Sequence, residues 1–172
     1  MDAATFWQLI DESRGNAGGD PEEQAEELTD LLSDLPPEEI VAFDRTFWDL
    51  MAAAYRWDLW GAAYIINGGC SDDMFEYFRS WLIAHGERFY QEALADPETL
   101  VGRAETDATD AESMIYAAGD AYRVETGRDL PMRLAHPSEP AGTRWEEDDL
   151  ERLFPKLWAA FPDAVGPPTE PR

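Results

Sequence analysis

The chain is poor in the residues that most often carry chemistry. Among 172 residues there are one cysteine and two histidines. One cysteine excludes an internal disulfide and a cysteine-based zinc cluster, and two histidines argue against a histidine-rich metal site. We therefore expect no metal and no cofactor. Basic residues are scarce too: 13 Lys and Arg stand against 37 Asp and Glu, for a formal charge of -24. Nucleic-acid binding depends on Lys and Arg neutralising phosphates, so this balance disfavours direct nucleic-acid contact and anionic membranes. A basic protein partner, a cation or plain solubility remain as explanations. No run approaches the ~18 consecutive apolar residues of a spanning helix. The stretch Met1–Trp7 has neither a basic n-region nor a long apolar core, so it does not read as a signal peptide. The expected compartment is the cytoplasm.

No glycine-rich phosphate loop, no His-Glu-x-x-His helix and no nucleophile elbow occurs. Sustained two-residue alternation and internal repeats are also absent. What is abundant is apolar and aromatic: 44% hydrophobic residues, with seven Trp, six Tyr and eight Phe. That suffices for a packed core, and the length suits one domain. We expect an all-α single compact multi-helix domain over 1–165, an irregular segment near 128–144, and a Pro-rich flexible tail at 166–172.

The helical signals are local. Thr5 can cap a first helix carrying Phe6, Trp7, Leu9 and Ile10. Asp20-Pro21-Glu22-Glu23 starts a second: a capping Asp, Pro at the first helical position, and Glu three residues on. Leu28, Leu31, Leu32 and Leu35 then recur at helical spacing, opposite a solvated face of Glu22, Glu23, Glu26, Glu27 and Asp30. After Pro36-Pro37, the apolar residues Ile40, Phe43, Phe47, Leu50, Met51 and Ala54 predict a helix through Tyr55 that continues or bends into 57–66. Asn67-Gly68-Gly69 supplies a left-handed end. Ser71 can cap the next helix, with Asp72 and Asp73 in its first turn; Phe75, Phe78, Leu82 and Phe89 mark its apolar stripe, and Gly86 signals a break or kink near His85. Asp96-Pro97-Glu98 opens a short turn, and 103–110 reads as an exposed loop. A helix follows over 112–125, burying Met114, Ile115, Ala118 and Tyr122. A last helical region begins at Trp145, with Leu150, Leu153, Leu157, Trp158 and Phe161 apolar and a break at Pro155.

The densest chemistry lies between Tyr55 and Ile83. Asp72 and Glu76, four apart, can share one helix face, with Asp73 beside them. They could serve as oxygen ligands or an acid–base cluster, although calcium or magnesium wants about six oxygens and no loop of alternating acidic ligands is present. Arg79 stands among Phe75, Phe78, Trp81 and Leu82, and an Arg in such company needs a partner. Asp72 or Glu76 could pair with it in the helix; the same guanidinium could instead receive a carboxylate or phosphate bidentately. Cys70 precedes a helix start, where the dipole can lower a thiol pKa. A nucleophile would also need a base, for which only His85 and His136 exist. Trp60 and Tyr64 belong to an aromatic stripe that is core or pocket lining. The candidate ligand site is thus Trp60, Tyr64, Asn67, Asp72, Asp73, Glu76 and Arg79.

The blocks Trp57-Asp58-Leu59-Trp60-Gly61-Ala62-Ala63-Tyr64, Asn67-Gly68-Gly69-Cys70-Ser71-Asp72-Asp73 and Phe78-Arg79-Ser80-Trp81-Leu82-Ile83 resemble the signature of a bacterial domain-of-unknown-function family, number forty-two-forty. Phe6-Trp7-Gln8-Leu9-Ile10-Asp11 and the stretch from Pro140 to Trp145-Glu146-Glu147 also fit. The resemblance implies a small stand-alone cytoplasmic protein and brings no activity, cofactor or catalytic residue. The leading expectation is a non-catalytic acidic module that binds a basic protein through the helix at 20–35 and the segment 145–151. The alternative is a small-molecule or enzymatic site around Tyr64–Arg79.

Overall fold

The computed structural model describes residues 1–106, 109–131 and 137–162. The expected tail at 166–172, His136 and part of the irregular segment lie outside them. Among the described residues the architecture is all-α. The helices are α1 (Ala3–Asn16), α2 (Pro21–Ser33), α3 (Pro37–Ala53), α4 (Trp57–Asn67), α5 (Asp72–Ala84), α6 (Glu87–Ala95), α7 (Ala117–Thr126), α8 (Leu150–Leu153) and α9 (Pro155–Ala160). Short 3-10 turns cover Pro97–Leu100, Glu112–Ile115 and Glu147–Asp149. No helix there is long and apolar enough to cross a membrane.

Local capping chemistry sets most of these boundaries. Asp20 accepts from the N–H groups of Glu22 and Glu23 at the start of α2, and Ser71 accepts from Met74 N–H at the start of α5. Each satisfies donors that an α-helix leaves free at its N-terminus. Gly68, with φ of 66°, closes α4 in the left-handed conformation that a Cβ disfavours.

The core is continuous. Phe6 of α1 stacks on Phe43 of α3 with centroids 4.7 Å apart. Ile10, Leu28, Leu32, Ile40, Met51, Phe75, Phe78 and Leu82 are fully buried between α1, α2, α3 and α5. α7 closes the bundle against α2 and α3.

Several boundaries differ from the expectation. Asp2, not Thr5, caps α1: its carboxylate accepts from Thr5 N–H at 2.8 Å, so Thr5 lies inside the helix. α3 does not run through Tyr55. It stops at Ala53, and Arg56 is extended, with φ -137° and ψ 145°. The cause is distant in sequence. Ala141 N–H donates to the Tyr55 carbonyl and Trp57 N–H donates to the Ala141 carbonyl, both at 2.9 Å, forming an isolated parallel bridge.

Further along, the helix expected over 112–125 is a 3-10 turn followed by α7 from Ala117, and Tyr122 is only half-buried. The segment 103–110 is not uniformly exposed, since Ala104 and Thr109 are buried. Trp145 precedes the helical turns rather than starting one, and Leu153 faces solvent.

Candidate functional site

α4 is apolar nearly all round, so it must be covered on several sides. Trp60 stacks on Trp57 (5.3 Å, 9° between planes) and on Phe75 of α5 (4.9 Å, 13°). Its indole N–H donates to the Cys70 carbonyl at 3.0 Å. Trp60 therefore ties α4 to the turn before α5. Tyr64 turns the other way. It meets Trp145 edge-on at 5.3 Å and bonds to Glu147, and burial together with that carboxylate raises its hydroxyl pKa.

Asn67 is the last residue of α4. Its amide donates to the Ala63 carbonyl at 3.2 Å and to the hydroxyl of buried Thr109 at 2.9 Å. Asp72 and Asp73 stand exposed in the first turn of α5, where the helix dipole favours negative charge.

Arg79 is 7% exposed. Its Nη1 donates to the Met51 carbonyl at 2.8 Å and its Nε to the Phe75 carbonyl at 3.3 Å. The guanidinium lies 4.7 Å from the Tyr55 ring centroid and 5.1 Å from that of Phe75, and Glu76 approaches to 3.8 Å. Burial lowers its pKa and Glu76 opposes that shift; a guanidinium stays cationic regardless. The Met51 carbonyl belongs to the last turn of α3, where Ala54 N–H donates to Leu50 and Tyr55 N–H to Ala52. Leu50, its neighbour, accepts from the Tyr90 hydroxyl at 2.7 Å. Arg79 and Tyr90 thus cap α3 from α5 and α6.

The seven candidate residues fall into separate environments. Glu76 and Arg79 meet, and Trp60 joins them through the shared rings of Tyr55 and Phe75. Tyr64 faces Trp145 and Glu147, Asn67 faces Thr109, and Asp72 and Asp73 face solvent. Among the described residues no group of three or more His, Cys, Asp or Glu could hold a metal ion.

Cys70 departs from its expectation. Burial, reinforced by Asp72, pushes its thiol up to about 12, so the helix dipole does not activate it. His85 does not approach it as a base. The imidazole sits between Trp81 and Phe89 (4.5 and 4.6 Å), with Nδ1 3.0 Å from the Trp81 carbonyl.

A concave surface lies elsewhere, at residues that form no single motif. The start of α2, the turn Glu112–Ile115 and the start of α7 enclose a groove in two adjoining parts of about 290 and 510 Å³. Asp20, Glu22, Glu26, Asp110, Glu112 and Asp120 supply carboxylates, and no Lys, Arg or His lines either part. Asp110 also borders a 130 Å³ hollow lined by Asn67, Met74, Tyr77 and Thr109. Tyr116 stands over the groove, 54% exposed, with its hydroxyl 3.3 Å from Glu112. Desolvation, then the Glu112 carboxylate, raise the Tyr77 pKa, and the bond to Glu112 raises that of Tyr116. Arg123 bonds Asp120 at 3.0 Å and also binds Asp129.

Glu22 and Glu26 were legible as a solvated face. Glu112 and Tyr116 were not, although one signal existed: Tyr116 falls outside the stripe formed by Met114, Ile115 and Ala118.

A family model described as "Protein of unknown function (DUF4240)" matches residues 1–124. The match covers α1 to α6 and most of α7, and it ends before the Pro140–Glu147 stretch. No curated protein and no solved structure matches the chain.

Proposed function

We propose, from the premise that this chain belongs to that family of proteins of unknown function, that it is a non-catalytic bacterial cytoplasmic module that binds a basic protein partner. The groove between α2 and the 110–120 segment is the seat of binding. The observation that carries this reading is the groove's composition: six carboxylates, an exposed tyrosine and no lining cation. Lys or Arg side chains entering it would gain charge-assisted hydrogen bonds from the carboxylates and a ring face at Tyr116. A charge of -24 steers such a partner in and repels phosphate-rich ones. The segment 145–151 is a weaker second contact in this reading, because Trp145 is engaged with α4 and Glu147 with Tyr64.

The alternative, a small-molecule site around Tyr64–Arg79, has one feature in its favour, the hollow beside Asn67. At 130 Å³ it falls below the ~300–1,000 Å³ of ordinary ligand pockets. Arg79, its expected anion receptor, is spent on backbone carbonyls.

The test is copurification from native lysate at low and high salt with three forms of the protein: wild type, Glu22→Gln/Glu26→Gln/Glu112→Gln, and a control removing three exposed carboxylates elsewhere (Glu12→Gln/Glu87→Gln/Glu125→Gln). The reading predicts a stoichiometric basic protein that is lost at high salt and lost from the groove variant, but kept by the control. Equal loss from both variants would reduce the groove to bulk charge.

A further inference from the structure

Residues 137–162 lie beyond the segment that the family model matches, and they are held differently from the bundle beneath them. Their helical pieces are 3, 4 and 6 residues long. Isolated helices shorter than ~12–15 residues are marginal in water, so these pieces keep their shape only while docked.

The docking points are few, and those the structure gives cluster on one side. Ala141 bridges to Tyr55 and Trp57. The Trp145 indole donates to the Trp57 carbonyl at 2.6 Å, and its ring meets Trp57 and Tyr64 edge-on. Leu150, Phe154 and Leu157 are buried. They press on α4 at Gly61, where a Cβ would come within 2.7 Å of the Phe154 ring and 3.2 Å of Leu150. The Glu98 carboxylate accepts from the N–H groups of Lys156 and Leu157. The bundle buries Phe6, Ile10, Leu28, Phe43 and Phe78 among its own helices, while Phe75 meets Tyr55 beside the bridge at 6.0 Å and Leu150, Phe154 and Leu157 extend the same core onto α4.

We propose that residues 137–162 form a strap that detaches from α4 as a unit while residues 1–124 stay folded. Local opening free energies run from near zero up to the global value, and a segment built of helical pieces too short to stand alone opens as a unit once its docking contacts to α4 and Glu98 are lost. Release breaks the Ala141 bridge, so the extended Tyr55–Trp57 turn loses the partner that separates α3 from α4. It also uncovers Trp57, Gly61 and Tyr64, a face that the docked strap keeps from solvent. The strap is therefore a built-in cover for α4, and this inference does not depend on the acidic groove.

Amide hydrogen exchange by NMR on the full chain tests it. The Trp57, Ala141, Phe154 and Trp158 amides each donate to a carbonyl across or within the strap. They should exchange through one common opening, at least tenfold faster than Leu82 in α5. Phe154→Ala should speed those four a further tenfold or more and leave Leu82 within twofold. Exchange of all five at one rate, or a variant that speeds Leu82 as much as the strap, would overturn the proposal. So would four unrelated strap rates in the wild type, which needs no variant.

Discussion

Arg79 sits where a guanidinium meets the end of α3, its own helix and two ring faces at once. It satisfies a carbonyl in the last turn of α3, a carbonyl of its own helix, and the faces of Tyr55 and Phe75. Replacing it with Met keeps much of the volume and strands the Met51 carbonyl. A buried polar group left unpaired costs about 1–3 kcal/mol. Arg79→Met should therefore lower stability by about that amount in urea denaturation, while leaving affinity for any basic partner unchanged per folded molecule. A stable Arg79→Met protein that had lost partner binding would instead make Arg79 part of a site.

His85 offers a second test at this scale. Burial, and the nearby charges of Arg14 and Arg103, hold its pKa below the ordinary 6.5, while the bond to the Trp81 carbonyl partly opposes them. The unfolded chain then takes up the proton first, so stability falls as the pH drops through 6.5 toward the folded value, and is fully present above 6.5. The stability gap between wild type and His85→Gln should shrink from pH 7.5 to pH 5.5. A flat gap would mean that the imidazole titrates alike in both states.

Among the elements, α2 and α5 owe their starts to single side chains. Asp20→Ala removes an acceptor for two N–H groups and Ser71→Ala an acceptor for one. Each should cost about 1 kcal/mol, as N-cap losses do, and the two should add because they cap different helices. Chemical denaturation of the single and double variants checks this. No loss at either position would mean that a neighbour takes over the cap.

These starts were legible in the sequence because a cap is read within four residues, and so was the end at Gly68. The first cap misled because Asp2 and Thr5 are both capping residues three apart, and the earlier one takes the N–H of the later. The stop of α3 was not legible at all. Its apolar spacing continues past Ala54, and what ends it is Ala141, far along the chain. The partners of Arg79 were half legible: Glu76 is local, whereas Met51 and Tyr55 arrive from another element. The dispersal of the seven candidate residues has the same origin, because Trp145, Glu147 and Thr109 each draw one of them away.

Across the whole molecule, charge is the dominant property, and the sequence states it in full: 37 acidic residues against 13 basic ones. Where that charge becomes concave was not stated, because the groove joins Glu22 and Glu26 of α2 to Glu112 and Asp120 some ninety residues later. Only the packing of α7 and the preceding 3-10 turn on α2 brings them together. The groove, rather than net charge alone, is the claim that distinguishes this account. A titration of a fluorescently labelled 12-residue Lys/Arg peptide, read by anisotropy at 50 and 300 mM salt, tests it most directly. The account predicts binding that weakens with salt, falls at least tenfold in Glu22→Gln/Glu26→Gln/Glu112→Gln, and changes less than twofold in Glu12→Gln/Glu87→Gln/Glu125→Gln. Binding that falls equally in both variants, or in neither, would contradict it.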